Sequence, residues 1–205
     1  MNKKTLILLI LSGIVLLIFA GILLYFQSFK TVYFDIKKQD IDVKIQRDRT
    51  EVGNFTNSGE LRLPAGKYLA TIQNDRYDQT PIAFEVVNKD LTITIDPSFS
   101  TSYLNQILDT EQAAINKKIT DSYPAVISKF ELKRGQLYKE GEWYATILIQ
   151  KTAGRGDEPD IYRTVLKKED GQWVIKAKPT IVLSAKVYPD IPFEILSTIN
   201  RKGRF

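Results

Sequence analysis

The chain has 205 residues, 29 Lys or Arg against 24 Asp or Glu, and neither His nor Cys. The last two absences remove Ser-His-Asp and Cys-His nucleophiles, disulfides, and zinc sites built on nitrogen or sulfur ligands. The net charge of +5 is spread along strands and loops, with only Arg201, Lys202 and Arg204 clustered, which argues against nucleic-acid binding.

Leu6 to Phe26 form an uncharged run of 21 residues directly behind Lys3 and Lys4. A run of about 20 apolar residues is the length of a membrane-spanning helix, and it exceeds the apolar stretch of a cleaved signal peptide. The sequence therefore predicts a cytoplasmic stub and transmembrane signal anchor over residues 1–29. Lys3 and Lys4 place the N-terminus inside, so residues from about Phe29 onward are expected outside the cytoplasmic membrane in a single-pass topology.

Residues 30–98 alternate apolar with polar side chains. Thr31–Lys37, Asp40–Gln46, Lys67–Gln73, Pro81–Val87 and Leu91–Ile95 read as strands, separated by turn clusters at Asn57–Gly59, Pro64–Gly66, Asn74–Asp78 and Asn88–Asp90. Strands at this spacing with no helical segment predict a small all-β sandwich. Pro64 presets a turn, Gly66 permits positive φ, and Tyr68 opens the next strand.

The period changes near Ser100. Leu104, Ile107, Leu108, Ile115 and Ile119 recur at helical spacing, predicting one long helix over Thr101–Tyr123, with Ser100, Thr101 or Ser102 as its cap and Pro124 ending it. Strands return at Lys129–Tyr138, Glu142–Lys151, Ile161–Lys168, Gln172–Lys178 and Thr180–Val187, with hairpin turns at Glu140–Gly141 and Asp170–Gly171. A short helix is expected from Pro192. The predicted fold class is thus a transmembrane helix, an all-β sandwich, and over residues 99–205 an α+β domain with one long helix on a curved antiparallel sheet.

Two resemblances sit on these segments. Val52, Gly53 and Thr56, followed by Leu63, Pro64, Gly66, Lys67 and Tyr68, resemble PEGA-type surface modules, which implies an extracytoplasmic sandwich for residues 30–98. The helix followed by Tyr162–Pro179, with its Asp-Gly-x-Trp hairpin, resembles the NTF2-like and cystatin-like cones. That superfold hosts enzymes, small-molecule binders and interaction modules, so it carries little functional weight. NTF2-like enzymes commonly hold an Asp/His pair, and this chain has no His.

Few constellations of residues in the chain could carry chemistry. Ser184 and Lys186 fall two apart on an expected strand, a pattern that chance supplies in a Lys-rich chain. No local signature singles out a carboxylate pair for glycoside cleavage. The loop Thr152–Asp160 offers Asp157, Glu158 and Asp160 as oxygen ligands, without the spacing of a calcium loop. Its Arg155–Gly156–Asp157 tripeptide looks like an adhesion motif, which three residues barely support. Trp143, Tyr144, Tyr162 and Trp173 are the candidate ligand-pocket residues, set against the plainer reading of them as sheet core.

The expected function is a non-catalytic single-pass membrane protein presenting two extracytoplasmic modules to an envelope protein or cell-wall polymer. The alternative is a small-ligand binder using the cone of the C-terminal domain. No catalytic residue, cofactor, metal or nucleic-acid partner is expected.

Overall fold

The computed structural model describes residues 13–22, 25, 28–151 and 158–202. The chain divides at Pro97 and Ser98 into two units. Among the described residues the first contains seven strands: β1 (Phe29–Ile36), β2 (Val43–Arg47), β3 (Thr50–Phe55), β4 (Gly59–Pro64), β5 (Gly66–Ile72), β6 (Ile82–Val86) and β7 (Leu91–Ile95). They form one sheet in the order β4-β1-β7 and another in the order β3-β2-β5-β6.

Alternation explains the packing. Val43 and Ile45 of β2, Tyr68, Ala70 and Ile72 of β5, and Phe84 and Val86 of β6 turn inward onto Val32 and Phe34 of β1. Phe34 anchors this core, its ring 4.9 Å from Phe55 and 5.8 Å from Phe84. The Tyr68 hydroxyl donates to the Pro64 carbonyl at 2.8 Å, so the Pro-Ala-Gly turn is closed by the strand that follows it. The β2–β3 hairpin turns through Asp48 (φ 49) and Arg49 (φ 67), two left-handed residues in a two-residue connection without glycine.

The second unit contains α1 (Thr101–Ser122), α2 (Pro124–Lys129), β8 (Phe130–Leu132), β9 (Gln136–Tyr138), β10 (Trp143–Gln150), β11 (Ile161–Glu169), β12 (Gln172–Thr180) and α3 (Phe193–Arg201). Its sheet runs β12-β11-β10-β8, with β9 also paired to β10. Ser100 caps α1, its hydroxyl oxygen accepting from the Tyr103 amide at 3.2 Å. Pro124, expected only to stop that helix, also opens α2 at a position where its missing N–H costs nothing. The apolar side of α1 (Leu108, Ile115, Ile119) covers one face of the sheet. Ile195, Leu196 and Ile199 of α3 cover the other.

Arg163 of β11 is buried among apolar neighbours, and its guanidinium donates to the carbonyls of Ile161, Ile181, Ile199, Asn200 and Lys202. Three of those carbonyls belong to the C-terminal end of α3, where the helix dipole favours a cation. Asn200 adds a second tie, accepting from the Leu183 amide at 3.1 Å and donating to the Leu183 carbonyl at 2.6 Å.

Several expectations are corrected. Among the described residues no helix is long and apolar enough to cross a membrane. Residues 1–12, 23, 24, 26 and 27 of the expected stub and anchor lie outside the described residues. The transmembrane signal anchor, the single-pass topology in the cytoplasmic membrane and the extracytoplasmic placement derived from it are therefore not supported. Over the described residues the fold class becomes mostly β, with three sheets and a short N-terminal helical segment.

Thr50–Phe55 and Gly59–Pro64 are two strands beyond the five expected, flanking the turn at residues 56–58. The single strand expected over Lys129–Tyr138 is two, broken over residues 133–135, where a Cβ on Gly135 would run into the Ala145 carbonyl oxygen. Thr180–Val187 is not a separate strand: β12 runs through Pro179 to Thr180, and turns follow. A proline is tolerated there because β12 is an edge strand.

Candidate functional site

The four aromatic candidates of the second unit do not converge. Trp143 and Tyr144 are neighbours on β10, so the pleat sends them to opposite faces. Trp143 packs beneath α3 with Val165 and Ala177, and the Lys167 ammonium lies 5.5 Å from its ring centroid. Tyr144 packs beneath α1 with Leu108, Ile115 and Leu166. Trp173 joins it there, ring centroids 6.3 Å apart in an edge contact. Tyr162 stands elsewhere, stacked on Phe130 at 4.4 Å.

Apart from Gln112 Oε1, the polar atoms near Tyr144 and Trp173 are occupied. Glu111 of α1 accepts from the Trp173 indole N–H at 2.8 Å and from Lys168 at 2.6 Å. Those donors, Lys168 first, hold the Glu111 carboxyl below the usual glutamate range. The Tyr144 hydroxyl accepts from the Gly135 amide at 2.8 Å, and Gln112 donates to Asn116 at 2.7 Å. The Gln112 Oε1 atom is buried without a partner. This is a helix fastened to a sheet, with its hydrogen-bonding capacity spent on the fold.

The other candidate chemistries disperse as well. Ser184 and Lys186 lie in a turn, the Ser184 carbonyl accepting from the Val187 and Tyr188 amides, so they share no strand face. Residues 152–157, including the Arg-Gly-Asp tripeptide and Asp157, lie outside the described residues. Among the described residues no group of three His, Cys, Asp or Glu side chains could hold a metal. Glu140, Glu142 and Glu194 border a hollow of about 390 Å³, where Lys139 pairs with Glu194 at 3.0 Å.

The larger concavity lies on the first unit, where sequence reasoning sought no site. A groove of about 700 Å³ runs over the outer face of the β3-β2-β5-β6 sheet. In register across the sheet, Gln46, Leu69 and Ala83 form its floor. Lys67 and Glu85 face each other one row away, and the Asp48–Arg49 turn closes one side. Leu69 is 43% exposed at a position that alternation assigns to solvent. An aliphatic residue on the polar face of Lys67–Gln73 was the one signal of this surface in the sequence. Comparison with known proteins finds no matching family, no matching curated protein and no matching solved structure.

Proposed function

We propose that this chain is a non-catalytic interaction protein whose two units offer preformed surfaces to a protein partner. One observation carries the reading. The space between α1 and its sheet, where a ligand-binding cone would be open, is occupied by Leu108, Ile115, Ile119 and Tyr144, each fully buried. A chain without His or Cys has in addition few means of nucleophilic or general-base chemistry. The resemblances to PEGA-type modules and NTF2-like cones belong to this reading, as classes that include interaction domains. Cross-linking with mass spectrometry in the source cells tests it. The expected result is a reproducible protein partner linked through exposed lysines such as Lys67 or Lys117. Recovery of a tightly held small molecule with the purified protein, and of no reproducible protein partner, would instead make it a ligand carrier.

A further inference from the structure

Each sheet of the first unit ends in two edge strands, and an unprotected edge is a template for another chain. Three of the four are distinguishable from β6. The β3 edge is interrupted by a register shift opposite Ile45 and Gln46. The β4 edge carries Glu60 and Arg62 and ends in Pro64. The β7 edge is uncharged, but it joins its sheet by parallel pairing with β1 and does not line the groove. β6 reads Ile82-Ala83-Phe84-Glu85-Val86, with no bulge in its pairing and no proline inside it, and it alone borders the groove. Ala83 and Glu85 project to the groove side and are exposed, and Val87 just beyond is 59% exposed.

From this edge and the groove beside it, we infer that β6 receives an extended segment of a partner protein as an added strand. The segment places an aliphatic side chain opposite Ala83 and a basic one opposite Glu85. This rests on the interaction-protein reading above and specifies where that interaction occurs. Main-chain hydrogen bonds supply affinity in such pairing, while alternate side chains supply specificity. An added strand prolongs the two rows already present. The Gln46–Leu69–Ala83 row gains an apolar side chain, which covers the small Ala83 and reaches toward Leu69. The Lys67–Glu85 row gains a cation beside a carboxylate that, among the described residues, has no ion-pair partner.

A second copy of this chain fits less well. Of the antiparallel self-pairings that keep both groove faces on one side, the one centred on Glu85 sets it opposite its own copy, and the full-length one, centred on Phe84, sets it opposite Ala83. The first opposes like charges, and the second adds a carboxylate to the apolar row.

The test uses the full chain and a short fluorescent peptide reading threonine, valine, lysine, valine, leucine, threonine, followed by anisotropy. A second peptide carries glutamate in place of lysine. The lysine peptide should bind about fivefold more tightly, and Glu85→Lys should reverse the order, because opposite charges across a strand pair attract and like charges repel. Glu85→Gln should remove the preference. N-methylation of the peptide nitrogens that face β6 should abolish binding. The inference is overturned if neither peptide binds saturably at millimolar concentration, if Glu85→Lys leaves the order unchanged, or if the N-methylated peptide binds as well. Sedimentation showing a dimer that Ala83→Lys dissolves would assign the edge to a second copy instead. A partner reproducibly cross-linked to α1 but never near β6 would remove this inference while leaving the proposed function standing.

Discussion

The two units solve the same problem, a covered β-sheet, by different chemistry. The first closes two sheets over a core of Val, Ile, Leu and aromatic side chains, and among the described residues none of the buried polar or charged side chains lies in it. The second covers one sheet with a helix on each face and buries Thr146, Arg163 and Thr164. Apolar burial is tolerant of detail, since roughly correct volume and pattern suffice. A buried guanidinium is not, because each donor needs its acceptor in place. The first unit should therefore respond mainly to lost volume and the second mainly to lost hydrogen bonds.

The largest expected effect sharpens that contrast on the apolar side. Phe34→Ala removes the ring at the centre of the sandwich and should cost about 4 kcal/mol. Urea unfolding of the whole chain, followed with probes in each unit, should show the first unit's transition moving to lower denaturant. An equal shift of both transitions would mean that the units unfold as one.

Arg163→Ala is the counterpart in the second unit. It leaves the carbonyls of Ile161, Ile181 and Ile199 without their guanidinium donor and should cost about 3 kcal/mol, confined to the second transition. Arg163→Met tests the cause. If filling the volume with an apolar side chain restores full stability, packing rather than hydrogen bonding holds α3. Asn200→Ala should be milder, about 2 kcal/mol, through loss of both bonds to Leu183.

The elements legible in the sequence were those whose pattern reports burial directly. β1, β5, β6 and β7 alternate along most of their lengths, and α1 keeps Leu108, Ile115 and Ile119 on one side. β3 and β4 escaped because Gly53, Asn54 and Gly59 weaken strand propensity while pairing with β2 and β1 supplies the order instead. The aromatic candidates could be named but not grouped. Adjacent positions 143 and 144 diverge by strand geometry, while 144 and 173 meet only through the β10-β11-β12 pairing. Arg163 carried no signal, since nothing local distinguishes a buried arginine whose acceptors on α3 lie 36 to 39 residues onward. The groove left one trace, Leu69, within an alternation that otherwise read as regular.

The smallest expected effect is electrostatic. Glu111→Gln should destabilise the second unit by about 1 kcal/mol at neutral pH, through the weakened bonds to Lys168 and Trp173. Because the folded carboxyl titrates below its unfolded value, its contribution is complete above the unfolded pKa and fades as pH falls through the folded one. Wild type and variant should thus converge in stability in acid. A gap that persists at low pH would assign the effect to packing.

The tie between Arg163 and α3 also has an order in time. A chain made from its N-terminus completes the last strand of the first unit at Ile95, before any of the second unit exists. That unit can close while synthesis continues. The second cannot, because the acceptors for Arg163 at Ile199, Asn200 and Lys202 are the last described residues to be made. Until they leave the ribosome, β11 holds a guanidinium with no helix end to cap and an uncovered apolar sheet face around Trp143. A nascent chain stalled before Ile199 would carry one finished unit and one that exposes its core, the form a chaperone or protease would recognise.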